Sequence, residues 1–384
     1  MSTVASDYAF NLDPDEAYGL PRNYYLDADI FQQEIEEIFY KTWQFIGTVH
    51  DLPEPGSFFS ATLVDQPVFA IRGKDGNIRT FHNVCSHRGH EIVSGTGKKT
   101  TLTCPYHAWS YDTEGNLKAA GNSENVRGFH PAEFNLQEIR TEIFANLIYI
   151  NLDDGAAPMS EVMKGLDEEF RNVIPHFDDL VLFRRDPVNI QANWKIVIEN
   201  FVECYHCPYV HPGIMGQENA NMELSFESID EPYWSRHIIR SHSDDIQAAS
   251  ERDLPYEYRK DPPIKDAWLW SSWPNTCFVA RPGEANFQVF HVMPVSPGVT
   301  HETLVNFTRT DPPEEPELKV LDTFRDSLNW QDIGVVESVQ RGMRSRGYQP
   351  GRLMVDSERS WRSEASVHHF DSLVWRALQT KPSP

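Results

Sequence analysis

The chain has 384 residues, 40 % of them hydrophobic and 24 % charged, a composition that suits a globular protein of two or three domain-sized units. A formal net charge of −23 disfavours nucleic acid and anionic membrane surfaces as partners; it either serves solubility or suits a cationic substrate or a basic protein. No apolar stretch approaches the roughly 20 residues that cross a bilayer, and the acidic opening MSTVASDYAFNLDPDEAYG lacks the apolar core of a signal peptide, so a cytoplasmic location is expected.

Residues 27–44 put Ile30, Phe31, Ile35, Ile38, Phe39 and Trp43 at helical spacing behind a capping Asp27 or Asp29. From about 46 to 158 the texture is β-rich. Strands through FFSATL, PVFAI and IRTFH meet a hairpin signal at KDGN, YDTEGNLKAA reads as a second hairpin, and EIFANLIYINL as a closing strand. SGTGKKT, at 94–100, lacks the leading Gly and the Ser or Thr of a phosphate loop and reads as a turn. Residues 159–177 read as helix, VLFRRDPVNIQAN as strand, and WKIVIENFVECYH as helix. Aromatic strands follow through CFVARPGEANFQVFHVMPVS and TLVNFTRT, then a long helix over 315–342. No G-x-G-x-x-G dinucleotide fingerprint follows a strand, so neither NAD nor flavin is expected on this chain.

The five cysteines follow no disulfide framework, and two of them lie beside histidines, which fits metal binding better than bridging. NVCSHRGH supplies Cys85 and His87; LTCPYHAW supplies Cys104 and His107. Two β-borne loops, each carrying one thiolate and one imidazole, suit a Rieske [2Fe–2S] centre, in which two Cys hold one iron and two His the other. A zinc knuckle spaces paired ligands by two to four residues, and the Cys-x-His of the first loop is tighter than that.

VECYHCPYVH, at 202–211, poses a second question. Glu203 and His206 share a helical face, and Pro208 ends or kinks the helix so that His211 swings back beside His206. Two imidazoles and one carboxylate with open positions make the facial ligand set of a mononuclear non-haem Fe(II) oxygenase. The carboxylate is either Glu203, which equally suits a hydrogen bond to His206, or Asp332 on the long C-terminal helix. Zinc on Cys204 and Cys207 is the competing reading; otherwise the two are small buried helix residues.

These motifs, with IFYKTWQFIG, DLPEPGSF, NWKIVIENFVECYHCPYVHP and ESVQRGMRSRGY, resemble the α (oxygenase) subunit of Rieske non-haem iron oxygenases over most of the chain. The resemblance implies an α+β protein. Residues 1–45 would be a helical arm on the catalytic domain, 46–158 an all-β Rieske domain, and 159–384 a catalytic domain of antiparallel sheet wrapped by helices, of helix-grip type. It assigns Cys85, His87, Cys104 and His107 to the cluster and His206, His211 and Asp332 to the iron. In a homotrimer, Glu203 would bridge the iron site to His107 of the neighbouring subunit and carry electrons between them. O₂ is the implied cosubstrate, and a separate NAD(P)H-dependent flavin and iron–sulfur reductase the implied partner.

Most ring-hydroxylating members carry Asp at the bridge. Glu in ECYHC resembles the branch that oxidises quaternary ammonium compounds such as carnitine and betaines. The implied reaction is monooxygenation of a C–H beside nitrogen, giving N-demethylation or C–N cleavage. An arene dioxygenase or demethylase, and a zinc-binding structural protein, are the alternatives. A quaternary ammonium group donates no hydrogen bond and is held by aromatic faces. Phe201, Tyr205, Trp268, Trp270, Trp273, Phe278 and Phe290 are the candidates for them. A betaine also needs a polar or basic partner for its carboxylate, which the sequence leaves unassigned.

Overall fold

The computed structural model describes residues 10–211, 226–239 and 262–379. The chain divides into two compact units, Phe39–Glu161 and the combination of Met1–Ile38 with Val162–Pro384.

The first unit is all β. Its strands are β1 Gln44–Thr48, β2 Ser57–Leu63, β3 Gln66–Arg72, β4 Ile78–His82, β5 Thr96–Lys98, β6 Leu102–Thr103, β7 Ser110–Tyr111, β8 Leu117–Ala119, β9 Glu138–Phe144 and β10 Leu147–Asn151. They form an antiparallel seven-stranded sheet in the order β1-β10-β9-β4-β3-β2-β5 and a small sheet β6-β7-β8. β-Branched and aromatic side chains fill β2, β3 and β10, whose pleats bury Phe58, Phe69, Ile71 and Ile150. EIFANLIYINL is a hairpin and not one strand. Ala145 and Asn146 both adopt positive φ (52° and 62°), the backbone of a two-residue turn that keeps the strands' twist. SGTGKKT contributes β5, paired with β2, where a turn was expected.

The second unit is built on another antiparallel sheet: β11 Val181–Ile190, β12 Phe226–Glu231, β13 Trp234–Ile239, β14 Ala267–Ser272, β15 Thr276–Ala280, β16 Phe287–Ser296 and β17 Val299–Thr308. Their order is β11-β17-β16-β15-β14-β13-β12. The helix Trp194–Phe201 packs on β16 and on the helices Asn329–Met343 and Ala365–Gln379. Asn193 fixes its start. Its side chain accepts from Lys195 N (3.0 Å), and its own N–H donates to Gln340 Oε1 (2.7 Å). The next two residues tie in the N-terminal segment: Lys195 Nζ meets Glu34 Oε1 at 2.5 Å, Trp194 Nε1 donates to Glu34 Oε2 at 2.8 Å, and Lys195 and Glu34 are fully buried.

Four helices differ from the sequence reading; the one over WKIVIENFVECYH already ends at Phe201. The segment expected over 27–44 is helical only to Phe39, because Gln44 enters β1 opposite Ile150. The 159–177 segment splits into Met159–Val162 and Leu166–Val173, with Gly165 between them at φ +85°. The 315–342 helix is Glu315–Thr323 and Asn329–Met343 joined by one wide turn, Phe324–Leu328.

Candidate active site

In the β unit the two Cys/His loops close in the same way. Cys85 N donates to His90 O (2.8 Å) and Gly89 N returns to Cys85 O (3.0 Å); Cys104 N donates to Trp109 O (2.8 Å) and Ala108 N returns to Cys104 O (3.1 Å). The residue four after each cysteine takes positive φ, 74° at Gly89 and 56° at Ala108. Both thiols are buried and both imidazoles are exposed, with ring centroids 4.6 Å apart. His87 is fixed by stacking on Trp109 at 4.8 Å. Tyr111 Oη lies 3.3 Å from Cys85 Sγ and takes the Ser86 N–H, so the loop is pinned next to its thiol. Paired thiols inside and paired imidazoles outside match the chemistry of a cluster with one sulfur-bound and one nitrogen-bound iron.

In the second unit the helix Trp194–Phe201 stops before the residues that matter. Glu203 Oε2 accepts the backbone N–H groups of Tyr205 and of His206 (3.2 Å), replacing the carbonyls that helix continuation would need. The chain bends, His206 caps the short helix Cys207–Val210, Pro208 occupies its first turn, and His211 ends it. A single turn thus separates the two histidines, with ring centroids 5.4 Å apart.

Both rings are held by Nδ1. Glu203 Oε1 lies 2.5 Å from that of His206, and Gln331 Oε1 lies 2.8 Å from that of His211. The Nε2 atoms therefore point to one place, where Asp332 Oδ1 lies 3.3 Å from His206 and 3.1 Å from His211. That oxygen is buried, and neither ring meets it with hydrogen-bond geometry. The three side chains are the one described group arranged to hold a metal ion. Burial disfavours a charged His206, but the Asp332 and Glu203 carboxylates outweigh it and push its pKa up to about 10. A site that draws a proton onto a buried imidazole is short of positive charge, which a divalent cation supplies. The residues fit mononuclear iron.

Cys204 and Cys207 are joined by a disulfide, with Cα atoms 5.0 Å apart, and bracket the bend. This corrects the expectation of unbridged cysteines, and it removes both thiols as zinc ligands.

A cavity of about 320 Å³ opens beside His206, His211 and Asp332. Phe201, Phe290 and Phe324 form one wall, in a chain of centroid distances of 5.3 and 5.5 Å. Of the aromatic candidates, Phe201 and Phe290 line it. Trp268, Trp270 and Phe278 do not, because strand parity turns them to the other face of the sheet while Leu269, Cys277 and Val279 face the cavity. Trp270 instead donates to Glu169 Oε2 (2.8 Å) and meets Phe170, as does Phe278; Trp273 packs on Phe370; Tyr205 is exposed outside the lining. Gln331, Phe324, Arg281 and Glu302 went unnoticed in the sequence. Gln331 adjoins Asp332, and Arg281 and Glu302 have the parity of cavity-facing positions; those were the available signals.

Residues 42–130 match the family described as Rieske [2Fe-2S] domain, and residues 177–380 the family described as Ring hydroxylating alpha subunit (catalytic domain). The chain is 32 % identical over 382 residues to the carnitine monooxygenase oxygenase subunit of Escherichia coli (strain K12), covering 97 % of this chain and 98 % of that one. It is 29 % identical over 385 residues to the glycine betaine monooxygenase oxygenase subunit of Pseudomonas aeruginosa (strain PAO1), covering 88 % of this chain and 85 % of the relative. The crystal structure of the quaternary ammonium Rieske monooxygenase CntA in complex with L-carnitine superposes with a TM-score of 0.83 at 30 % identity, covering 96 % of this chain and 97 % of that one.

Proposed function

The chain belongs to the family of Rieske non-haem iron oxygenase α subunits, and from that premise we propose that it oxidises a C–H bond beside the nitrogen of a small quaternary ammonium compound. The observation that carries this reading is the convergence of the His206 and His211 Nε2 atoms on Asp332, in a cavity walled by Phe201, Phe290 and Phe324. Three protein ligands leave coordination positions open, and the phenyl faces suit a cation that cannot hydrogen-bond. The relatives named for carnitine and glycine betaine support the substrate class.

Cys85, His87, Cys104 and His107 hold the [2Fe–2S] cluster, and His206, His211 and Asp332 hold the mononuclear iron. Bound there, the iron centres supply O₂ activation and the electrons that it consumes. The protein's own groups set the conditions. Glu203 and Gln331 fix the tautomers of the two histidines, so that Nε2 is the free donor in each. The phenyl wall limits water around the reacting bond. The C–H, O₂, two electrons and two protons yield an α-hydroxy ammonium and water; loss of its hydroxyl proton as the C–N bond breaks, with the bonding pair leaving on nitrogen, then releases a tertiary amine and a carbonyl compound.

The electrons come from a separate NAD(P)H-dependent reductase, which the naming of the relatives as oxygenase subunits supports. We propose a homotrimer in which Glu203 of one subunit, already bonded to His206, links to a cluster histidine of the next. We also propose the cytoplasm, where NAD(P)H is available; no described helix is long and apolar enough to cross a membrane.

The test is a screen of betaines, carnitine and choline with a reductase of this class, measuring substrate-dependent O₂ uptake and identifying the amine and carbonyl products. O₂ uptake with arenes but with no quaternary ammonium compound would refute the substrate class.

A further inference from the structure

We propose that Cys204 and Cys207 form a second redox site on this chain, a dithiol that reduces hydroperoxides inside the cavity of the iron site. The proposal does not depend on which substrate the iron site oxidises.

Both cysteines line the cavity, on the wall that carries His206. Cys207 Sγ lies 3.8 Å from His206 Nε2, the ring atom that faces Asp332. Cys204 is buried and Cys207 half-buried, so Cys207 is the more open of the two. When O₂ takes up two electrons and two protons and no C–H bond is oxidised, the product is hydrogen peroxide. Peroxide set free at this centre meets the Cys207 sulfur at the place of its release.

The backbone places the pair independently of the sulfur–sulfur bond. Cys207 N donates to Cys204 O (3.1 Å) and closes a turn, and Cys207 O accepts from His211 N (2.9 Å). Glu203 Oε2 takes the N–H groups of Tyr205 and of His206 (3.2 Å) inside the same turn. The Cα atoms stand 5.0 Å apart, within the range a bridge needs, so the two thiols stay in reach of each other when the bond opens. The bridge spans a sequence separation of 3, and so short a loop restricts the unfolded chain little and contributes little to global stability.

The other cysteines are not available for this chemistry. Cys85 and Cys104 belong to the cluster loops. Cys277 also lines the cavity, but it is fully buried against Ser271 Oγ (3.5 Å), and burial pushes its thiol up to about 12, which makes it a slow nucleophile.

The reaction balances with peroxide as the sole oxidant. Cys207 Sγ attacks one peroxide oxygen; the O–O bond breaks, and the departing hydroxide takes up the thiol proton as water, leaving a sulfenic acid on Cys207. Cys204 Sγ then attacks Cys207 Sγ; the S–O bond breaks as the S–S bond forms, and the hydroxyl leaves with the Cys204 proton as a second water. The two sulfurs give up two electrons, and the peroxide becomes two molecules of water. The bridged pair of the structure is the oxidised product. A small dithiol such as dithiothreitol, attacking half-buried Cys207, restores the thiols by exchange.

The test uses the iron-loaded protein, reduced with dithiothreitol, desalted without air and given equimolar hydrogen peroxide. Differential alkylation and peptide mapping should find Cys204 and Cys207 bridged and Cys277 still a thiol, with the pair oxidised at least about tenfold faster than free cysteine. Cys204→Ser should stop at the Cys207 sulfenic acid, trapped with dimedone, and Cys207→Ser should give no adduct at Cys204. With dithiothreitol in excess, wild type should consume peroxide catalytically and Cys207→Ser at least about tenfold more slowly. Equal iron content and an equal cluster spectrum in the two proteins will set aside the iron's own reaction with peroxide. The mapping on wild type stands whether or not a variant folds. Oxidation that falls on Cys277 and spares the pair, or equal peroxide consumption by wild type and Cys207→Ser, overturns the proposal.

Discussion

Glu203 uses its two carboxylate oxygens differently, one on the Nδ1 of His206 and the other on two backbone N–H groups of the bend. Glu203→Gln keeps an oxygen for the backbone or a nitrogen facing His206, and cannot serve both as before. The variant is expected to retain [2Fe–2S] and mononuclear iron by metal analysis and electron paramagnetic resonance, while turnover falls by about 10- to 100-fold. Full activity would remove Glu203 from any electron path. His206→Ala should strip the mononuclear iron and leave the Rieske spectrum intact, because the cluster loops belong to the other unit. The neighbourhood of His206 and His211 was legible from sequence because imidazoles at tight spacing have few other uses, whereas Asp332, far along the chain, was reached through the family resemblance and not through spacing. The pocket wall was less so. Trp268, Trp270 and Phe278 attract attention by size, yet parity along β14 and β15, not size, decides which side chains meet the cavity. Arg281 has the parity of a cavity-facing position, but the hydrogen-bonded ladder behind it, Gln288, Asn306 and Asp186, lies on three other strands and leaves no local trace.

Among the elements, the helix Trp194–Phe201 is the part on which the site depends most. Asn193 starts it with its side chain and anchors it with two donors, Nδ2 to Pro297 O (2.8 Å) and the backbone N–H to Gln340. Asn193→Ala should lower stability by about 1–2 kcal/mol in denaturant titration, and should weaken iron retention, since the bend that carries His206 hangs from the far end of this helix. No change in either measure would mean that the bend is positioned from elsewhere. Hydrophobic periodicity revealed the helix but ran it on to His206, because it cannot register a carboxylate capturing the backbone at Tyr205 and His206. The same limit hid the hairpin in EIFANLIYINL, where the apolar run is continuous and only the backbone of Ala145 and Asn146 divides it. The helix Ala365–Gln379 and the strands β12 and β13 were also missed; VHHFDSLVWRAL interleaves apolar residues with a buried Asp371 and a buried His368, which weakens the amphipathic pattern.

Across the whole molecule, the acidic balance of −23 extends into the interior of the second unit. Glu199 accepts from Tyr25 Oη at 2.7 Å and lies near Asp371; burial first, and each other's charge next for Asp371, raise both carboxyls, that of Glu199 to about 7. Below an ordinary carboxylate pKa both folded and unfolded chains hold the proton. Between there and about 7 the folded chain keeps a proton that the unfolded chain releases, so stability falls as pH rises through that window and levels off above it. Glu199 and Asp371 contribute to this fall together. Thermal melts at pH 5, 6 and 7 should show it, and Glu199→Gln, which preserves the acceptor for Tyr25, should flatten it; an unaltered slope would assign the effect to other groups.

The sulfur–sulfur bond between Cys204 and Cys207 has a practical corollary. It staples the hinge on either side of His206, yet its sulfurs are not among the three groups that converge there. Cys204→Ser and Cys207→Ser should therefore contain as much iron as wild type when freshly loaded, and lose it to a chelator several times faster. Preparations handled with and without dithiothreitol should differ in the same sense, so the storage buffer, as much as the polypeptide, decides how long the enzyme stays charged with metal.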